Sequence, residues 1–372
     1  MKSMNFKRRT TNKGNSRTQK RTKSKMSKFQ KIRIALVTTC VIESLVLSLL
    51  LFVAIFLGGK LSMISRTLSQ GGMSLSEYLA GETNNPDIKG DVVDPDDVDW
   101  GDPANKIGGG KDIINILLIG QDRRAGESRA RSDSMILCTI NRAKDTITMT
   151  SFMRDMYVQI PGYQDNRINA SYAFGGAKLL EKCLNVNFGI VVDGCIEVDF
   201  SGFQEVIDTV GGIDIELTAA EAAYLNKWGN WDVEKNAGQW SLKEGKNHLN
   251  GSQALAYSRI REVSSDAGYG DYGRTNRQRT VLTKLMEKAK KLDMFEANEM
   301  LNDLLPLLAT DLSNKQIINL SMELLPELNA MKLNSQQIPA DGAHEGAMIR
   351  DMAVLLPDLE KNREILAKIM EE

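Results

Sequence analysis

Arginine and lysine are not interchangeable along this 372-residue chain, and where arginine is chosen indicates the chemistry. Residues 121–167 hold seven Arg (Arg123, Arg124, Arg129, Arg131, Arg142, Arg154, Arg167) against one Lys, and residues 257–280 hold five (Arg259, Arg261, Arg274, Arg277, Arg279) against none. From 281 to the end the preference reverses, to two Arg and eight Lys. A solvated face gives no reason to prefer guanidinium in two blocks and ammonium in the third, whereas bidentate, permanently charged recognition of phosphate oxygens does. The blocks predict one polyanion site assembled from distant segments. Some of these arginines, Arg129, Arg142 and Arg279 first, are expected only to pair with interleaved acids such as Asp133, Asp155 and Asp271.

Acids stand among the arginines at two suggestive places. Asp122 stands just beyond the apolar run Ile113 to Gly120, after Gln121, and the carboxyl ends of strands are where α/β sheets bind ligands. Asp133 opens the next strand-like run. Two carboxylates at adjacent strand ends in an arginine-rich cleft suit Mg2+, or Mn2+, bridging a pyrophosphate, since such an ion keeps waters and takes few protein carboxylates. Asp beside a strand also serves turns and caps, so spacing alone leaves this open. Zinc fits poorly, because four Cys are scattered and His248 and His344 lie far from each other and from any Cys.

These residues need a scaffold to bring them together. Strand signals fall at 113–120, 134–141, 146–152 and 194–200, and helical patterns near 170–184, 200–210, 253–260 and 275–292. Alternating strands and helices predict an α/β domain over 111–294, an α-β-α sandwich around a mixed sheet. Residues 295–372, punctuated by Pro306, Pro326, Pro339 and Pro357, read as a helix-rich C-terminal subdomain. Residues 58–110 read as a juxtamembrane piece and a solvated acidic linker, with eight acids against one Lys over 81–105.

The charge balance, 47 Lys+Arg against 48 Asp+Glu, conceals an asymmetry. Residues 1–33 form a tail with 13 basic side chains and no acid, and the rest of the chain carries 34 basic against 48 acidic. That acidic body argues against nucleic acid as a partner. Residues 34–57 are apolar except for Glu43, long enough to cross a hydrocarbon core of about 30 Å as a signal-anchor helix. The positive-inside rule puts the N-terminus in the cytoplasm and the remainder, with its function, outside the cell membrane. Cys183 and Cys195, twelve apart on the outer side, have a spacing compatible with a disulfide, and the pairing is left open.

Taken in order, several blocks resemble the LytR-CpsA-Psr family over about residues 112–290. They are Leu118-Ile119-Gly120-Gln121-Asp122-Arg123, Arg131-Ser132-Asp133-Ser134, Phe152-Met153-Arg154-Asp155, Arg167-Ile168-Asn169-Ala170-Ser171-Tyr172, Gly211-Gly212-Ile213-Asp214, Ala256-Tyr257-Ser258-Arg259-Ile260-Arg261 and Gly270-Asp271-Tyr272-Gly273-Arg274 with Arg277-Gln278. The resemblance implies an extracytoplasmic phosphotransferase that moves a glycopolymer, of teichoic acid or capsular type, from an undecaprenyl-pyrophosphate carrier to peptidoglycan through a phosphodiester. It implies Mg2+ on Asp122 and Asp133. It also implies a pyrophosphate clamp of Arg123, Arg131, Arg154, Arg259, Arg261, Arg274, Arg277 and Gln278, with Asp271, Arg154 and Arg261 catalytic and Asp271 activating the acceptor hydroxyl.

The family's polyprenyl tunnel would have Phe174, Leu179, Leu180, Phe188, Val198, Phe200, Phe203, Val206 and Ile207 as candidates for its wall, although the set reads equally as ordinary core. Arg167 departs from the Lys expected before Ile-Asn-Ala, which keeps the charge but not its geometry. Two alternatives remain, a pyrophosphatase using water on the same cage and a non-catalytic membrane-anchored regulatory or binding protein.

Overall fold

The apolar run from Ile113 lies at the centre of the molecule because neither of its faces reaches water. Ile113, Leu117 and Ile119 enter one core and Ile114 and Ile116 another, as alternate residues of a pleated strand must. A strand buried on both faces needs helices on both.

The computed structural model describes residues 58–371 apart from 67, 69–70, 82–83, 103, 123–130, 229–239, 292–301, 304, 325–326 and 328–329. The expected tail and membrane span, 1–33 and 34–57, lie outside the described residues. Among the described residues no helix is long and apolar enough to cross a membrane.

In chain order the elements are α1 (Leu75–Gly81), β1 (Asp91–Val92), β2 (Ile113–Asp122), β3 (Arg131–Asn141), β4 (Thr146–Phe152), β5 (Tyr157–Val158), β6 (Asn166–Arg167), α2 (Ile168–Phe188), β7 (Gly194–Asp199), α3 (Phe200–Thr209), β8 (Ile213–Leu217), α4 (Ala219–Trp228), β9 (Gly245–Leu249), α5 (Gly251–Arg259) and α6 (Gly270–Ala289). The chain continues through β10 (Ala309–Thr310), α7 (Asn314–Leu324), β11 (Lys332–Ile338), β12 (His344–Ile349), β13 (Met352–Pro357) and α8 (Leu359–Met370).

Six strands form the central sheet in the order β10-β7-β2-β3-β4-β11. It is mixed, as expected: β2–β7 and β4–β11 are parallel, β2–β3, β3–β4 and β7–β10 antiparallel. Side chains of α2 and α8 close the core under Leu117 and Ile119, and those of α6 and α7 meet Ile114 and Ile116. This is the α-β-α arrangement. A further core joins α3, β8, α4, β9 and α5 to Val281 of α6, so α6 touches two cores.

Two expectations about the ends of the domain are corrected. Residues 295–372 are not a helix-rich subdomain: β10 and β11 form the two edges of the central sheet, and β12, between β1 and β13, centres a second one. β11 (Lys-Leu-Asn-Ser-Gln-Gln-Ile) is too polar to signal a strand because an edge strand needs little apolar surface. Nor is 58–110 merely a solvated linker. Tyr78 of α1 is fully buried, its hydroxyl donating to Asn169 Oδ1 at 2.8 Å, and β1 pairs in parallel with β12. The described acids of this segment face water, while apolar residues such as Tyr78 and Ile88 anchor it.

The same segment straps a break in α2. Gly175 and Gly176 are non-helical, with φ of −136° and 65°, and the carbonyls released there accept from Gly72 N (Phe174 O, 2.8 Å) and Met73 N (Ala173 O, 3.0 Å). Gly71, at φ 69°, lies so close that an added Cβ would be 2.5 Å from Gly176 N. Gly71→Ala is therefore expected to lower stability by about 1–3 kcal/mol in denaturant titration, from backbone strain plus a lifted strap.

Candidate active site

The carboxyl ends of β2, β4, β7 and β11 share one edge of the sheet, since Gln121 stands opposite Asp199 and Ile338 opposite Phe152. Across β2 and β3 the register passes from Gly120↔Ser134 to Gln121↔Ser132, and Asp122 pairs with Arg131. Asp133 is thus the extra residue of a β-bulge, the device that re-aims a side chain at the rim of a sheet. The backbone places Asp122, Arg131 and Asp133 together at this edge. Their side chains, and Arg123 altogether, lie outside the described residues. Beside them Ser132 Oγ and Gln121 Oε1 are buried without a hydrogen-bond partner. An all-oxygen set of this kind suits a hard divalent cation.

The loop after β4 contributes Arg154 and Asp155, the first turn of α6 contributes Asp271, and Arg274 comes one turn later. Asp271, with 3% of its side chain exposed, receives three guanidiniums: Arg261 Nε at 2.9 Å and Arg274 Nε at 3.3 Å on Oδ1, and Arg154 Nε at 3.2 Å on Oδ2. Asp155 is wholly buried, with Arg154 Nε and Arg167 Nε both at 3.6 Å. Arg167 in turn donates to Ala353 O and Asn84 Oδ1, each at 2.9 Å. The loop before α6 is closed by Gly270 N donating to Arg261 O at 2.9 Å, which ties Arg261 to the helix that carries Asp271. An acid in the first turn of α6 also complements the helix dipole.

Electrostatically the cage sets four guanidiniums (Arg154, Arg167, Arg261, Arg274) against two carboxylates, leaving a positive excess for an anionic ligand. The two acids differ. Burial pushes the Asp155 carboxyl up to about 6, with Asp271 adding to the effect and Arg154 and Arg167 opposing it. Burial also acts on Asp271, but Arg274, Arg154 and Arg261 together outweigh it and hold that carboxyl down at about 2. In the resting cage Asp271 is the stronger acid of the pair and Asp155 the one that takes up a proton more readily.

Not every expected clamp residue joins the cage. Arg277 is fully buried, and its guanidinium donates to Glu221 Oε1 (2.8 Å), Ser265 Oγ (2.8 Å), Ile260 O (3.1 Å) and Val263 O (3.0 Å). It braces the segment carrying Arg261 rather than facing a ligand. Arg259, at the end of α5, lies over the Phe200 ring at 4.3 Å. Gln278 Oε1 is buried without a hydrogen-bond partner. Of the arginines expected merely to pair, Arg142 does so with Glu323 and Glu327, not with the interleaved acids. Arg279 bonds Ser335 Oγ at 2.5 Å, with no carboxylate partner among the described residues, and Arg129 lies outside them.

Two residues of the cage network carry no site signal in the sequence. Asn84 and Asn85 sit in a segment with the composition of a linker, and nothing about them marks a site. Arg167 stands there in the first arginine block and Asp155 reads as a pairing acid, but neither is singled out as a site residue.

The proposed tunnel wall divides between cores. Phe174, Leu179, Leu180 and Phe188 are closed into the core under α2, and Phe203 and Ile207 into that of α3–α6. On the opposite face of the sheet from α2, Leu118, Cys138 and Ile196 stay partly exposed although they lie on inner strands beneath helices. Burial pushes the Cys138 thiol up to about 12. Cys183 and Cys195 are free thiols, bonded to Gln159 O and Glu181 Oε1. Both are expected to resist a thiol reagent until the protein unfolds, as a titration with and without denaturant would show.

A cage of guanidiniums around buried carboxylates, at the strand ends of an α-β-α domain, defines an α/β protein built to handle phosphate oxygens. The chain belongs to the LytR_cpsA_psr family, whose family model matches residues 78–368. That match begins within α1 and takes in the C-terminal strands, in agreement with the fold. Polyisoprenyl-teichoic acid–peptidoglycan teichoic acid transferase TagU of Bacillus mycoides is 30% identical over 237 residues, 63% of this chain and 71% of its own. Regulatory protein MsrR of Staphylococcus aureus is 36% identical over 175 residues, 47% of this chain, which spans only 49% of that relative. Among solved structures, TagT bound to LIIa-WTA is 26% identical with a TM-score of 0.56, over 79% of this chain and 98% of that one. B. subtilis TagT is 25% identical with a TM-score of 0.54, over 75% and 98%.

Proposed function

We propose that this protein is a membrane-anchored, extracytoplasmic phosphotransferase that moves a glycopolymer from an undecaprenyl-pyrophosphate carrier to peptidoglycan. The observation that carries the reading is the cage of Arg154, Arg261 and Arg274 on the buried Asp271, set at the strand edge that also bears Asp122 and Asp133. The relatives TagU and TagT, one named as a teichoic acid–peptidoglycan transferase and the other solved with LIIa-WTA, support the substrate class. The span at 34–57 would anchor the domain beside the lipid carrier.

In this reading Asp122 and Asp133 hold Mg2+ or Mn2+, which would neutralise the diphosphate and the departing lipid phosphate when bound. Arg154, Arg261 and Arg274 turn from Asp271 towards the pyrophosphate oxygens, with Arg123, Arg131 and Arg259 completing the clamp. Asp271 accepts the proton of an acceptor hydroxyl as its oxygen bonds to the sugar-side phosphorus, and the bond from that phosphorus to undecaprenyl phosphate breaks. Positioning and neutralisation of charge suffice for such an in-line transfer. The polyprenyl chain would lie against the partly exposed apolar side chains of Leu118, Cys138 and Ile196.

Full-length protein in nanodiscs tests the clamp by binding. Polyprenyl pyrophosphate should bind about 10–100-fold more tightly than polyprenyl monophosphate, the worth of one or two further charge-assisted hydrogen bonds. Equal affinities would remove the clamp from the account.

A further inference from the structure

The strap after α1 reaches into the cage. Asn85 Nδ2 stands 3.4 Å from Asp155 Oδ2 and 3.4 Å from Asp271 Oδ2, bridging two carboxylates that come from different elements. Its neighbour Asn84 is fixed by three hydrogen bonds, accepting from Arg167 Nη2 and Ala353 N and donating to Asp351 O, each at 2.9 Å. Asp87 N donates to Asn85 Oδ1 at 3.1 Å, which orients the amide with its nitrogen towards the acids. From the opposite side Leu355 N donates to Asp155 O at 2.9 Å, so the backbone of Asp155 is pinned by β13. Asp155 Oδ1 is buried and aligned with no hydrogen-bond donor, although Arg167 Nε lies 3.6 Å away.

We propose that Asp155 is a positioning residue for the transfer, which together with Asn85 holds the Asp271 carboxylate in place and switches it between a hydrogen-bonded and a free basic state. The inference rests on the phosphotransferase reading and deepens it. Among the described residues the groups facing Asp155 are Arg154 on its own loop, Arg167 at the head of α2, Asp271 on α6 with Arg261 and Arg274 behind it, and Asn85 on the strap. Protonated Asp155 donates to Asp271 and weakens it as a base. Ionised Asp155 leaves Asp271 free, and the guanidiniums carry the second negative charge. Burial places that change near pH 6.

The experiment uses full-length protein in nanodiscs with a polyprenyl-pyrophosphate disaccharide and peptidoglycan oligomers, comparing wild type, Asp155→Asn and Asn85→Ala. Wild-type turnover should climb about tenfold per pH unit below about pH 6 and level off above it. Asn at 155 mimics the protonated acid, so Asp155→Asn should turn over about 10–100-fold more slowly than the wild-type plateau, with a flat profile from about pH 5 to 8 and a donor Kd within about threefold of wild type. Asn85→Ala removes a donor that favours both anions, and should move the midpoint upward and lower the plateau by less than Asp155→Asn does.

A wild-type-shaped profile in Asp155→Asn, or loss of donor affinity in step with turnover, would overturn the proposal in favour of a purely structural acid. Should Asp155→Asn fail to fold, an unmoved midpoint in Asn85→Ala overturns it instead. If wild type forms no product with any acceptor, the transferase reading falls. The pH-difference infrared spectrum then decides the inference separately: a carboxylic acid band lost near pH 6 in wild type and missing in Asp155→Asn supports it, and no such band refutes it.

Discussion

Arg154→Ala is expected to abolish measurable transfer, lowering kcat by about a thousandfold or more, as loss of a preorganised donor to developing charge does elsewhere. The size follows from its place. Arg154 Nε lies 3.2 Å from Asp271 and 3.6 Å from Asp155, so one guanidinium neutralises both buried acids in the resting state. Removing it leaves two carboxylates facing each other with less positive charge between them, and takes a planar donor from the clamp. Arg154→Lys should recover only part of the loss, because an ammonium cannot serve both acids and a phosphate in one plane. Steady-state kinetics on the three proteins would show this, and full recovery by Lys would mean that charge alone matters.

Arg277→Met should instead act on stability. Arg277 and Glu221 are both shut away from solvent, 0% and 3% exposed at the side chain, and lie 2.8 Å apart. Burial tends to raise the Glu221 carboxyl, yet the Thr218 backbone amide, Arg277 and Ser265 overcome it and keep the group below its usual value. Taking away the guanidinium strands that anion and three further acceptors, Ile260 O, Val263 O and Ser265 Oγ. Breaking a buried pair from one side costs about 3–5 kcal/mol. Denaturant titration should register that loss. Donor affinity in the protein that remains folded should fall much less than in Arg154→Ala, and an equal fall with unchanged stability would place Arg277 in the clamp after all.

The central strands were legible because burial on both faces forces long apolar runs. β4 falls at 146–152 as its pattern predicts, and β2 and β3 extend the expected runs by two or three residues into the site. The arginine blocks did converge, through the register of the sheet and the first turn of α6. What stayed hidden was of two kinds. Edge strands such as β10, two residues long, and β11, mostly polar, carry no hydrophobic signal because one side of each is open. The strap carries acids that face water, and its contribution rests on the amides of Asn84 and Asn85, whose role depends on where α1 docks. Likewise, nothing in the spacing Arg274–Arg277 separates a ligand-facing guanidinium from a buried brace; only the position of Glu221, some fifty residues away in sequence, does so.

Product analysis tests the central claim most directly. Full-length protein, Mg2+, a polyprenyl-pyrophosphate disaccharide and peptidoglycan oligomers would be incubated together and the products read by mass spectrometry, with Asp271→Ala as control. The account predicts a phosphodiester-linked conjugate and released polyprenyl monophosphate, both lost in Asp271→Ala. Sugar phosphate released into water with no conjugate would contradict it and make the protein a pyrophosphatase, and a lipid that binds but is never cleaved would leave a binding protein.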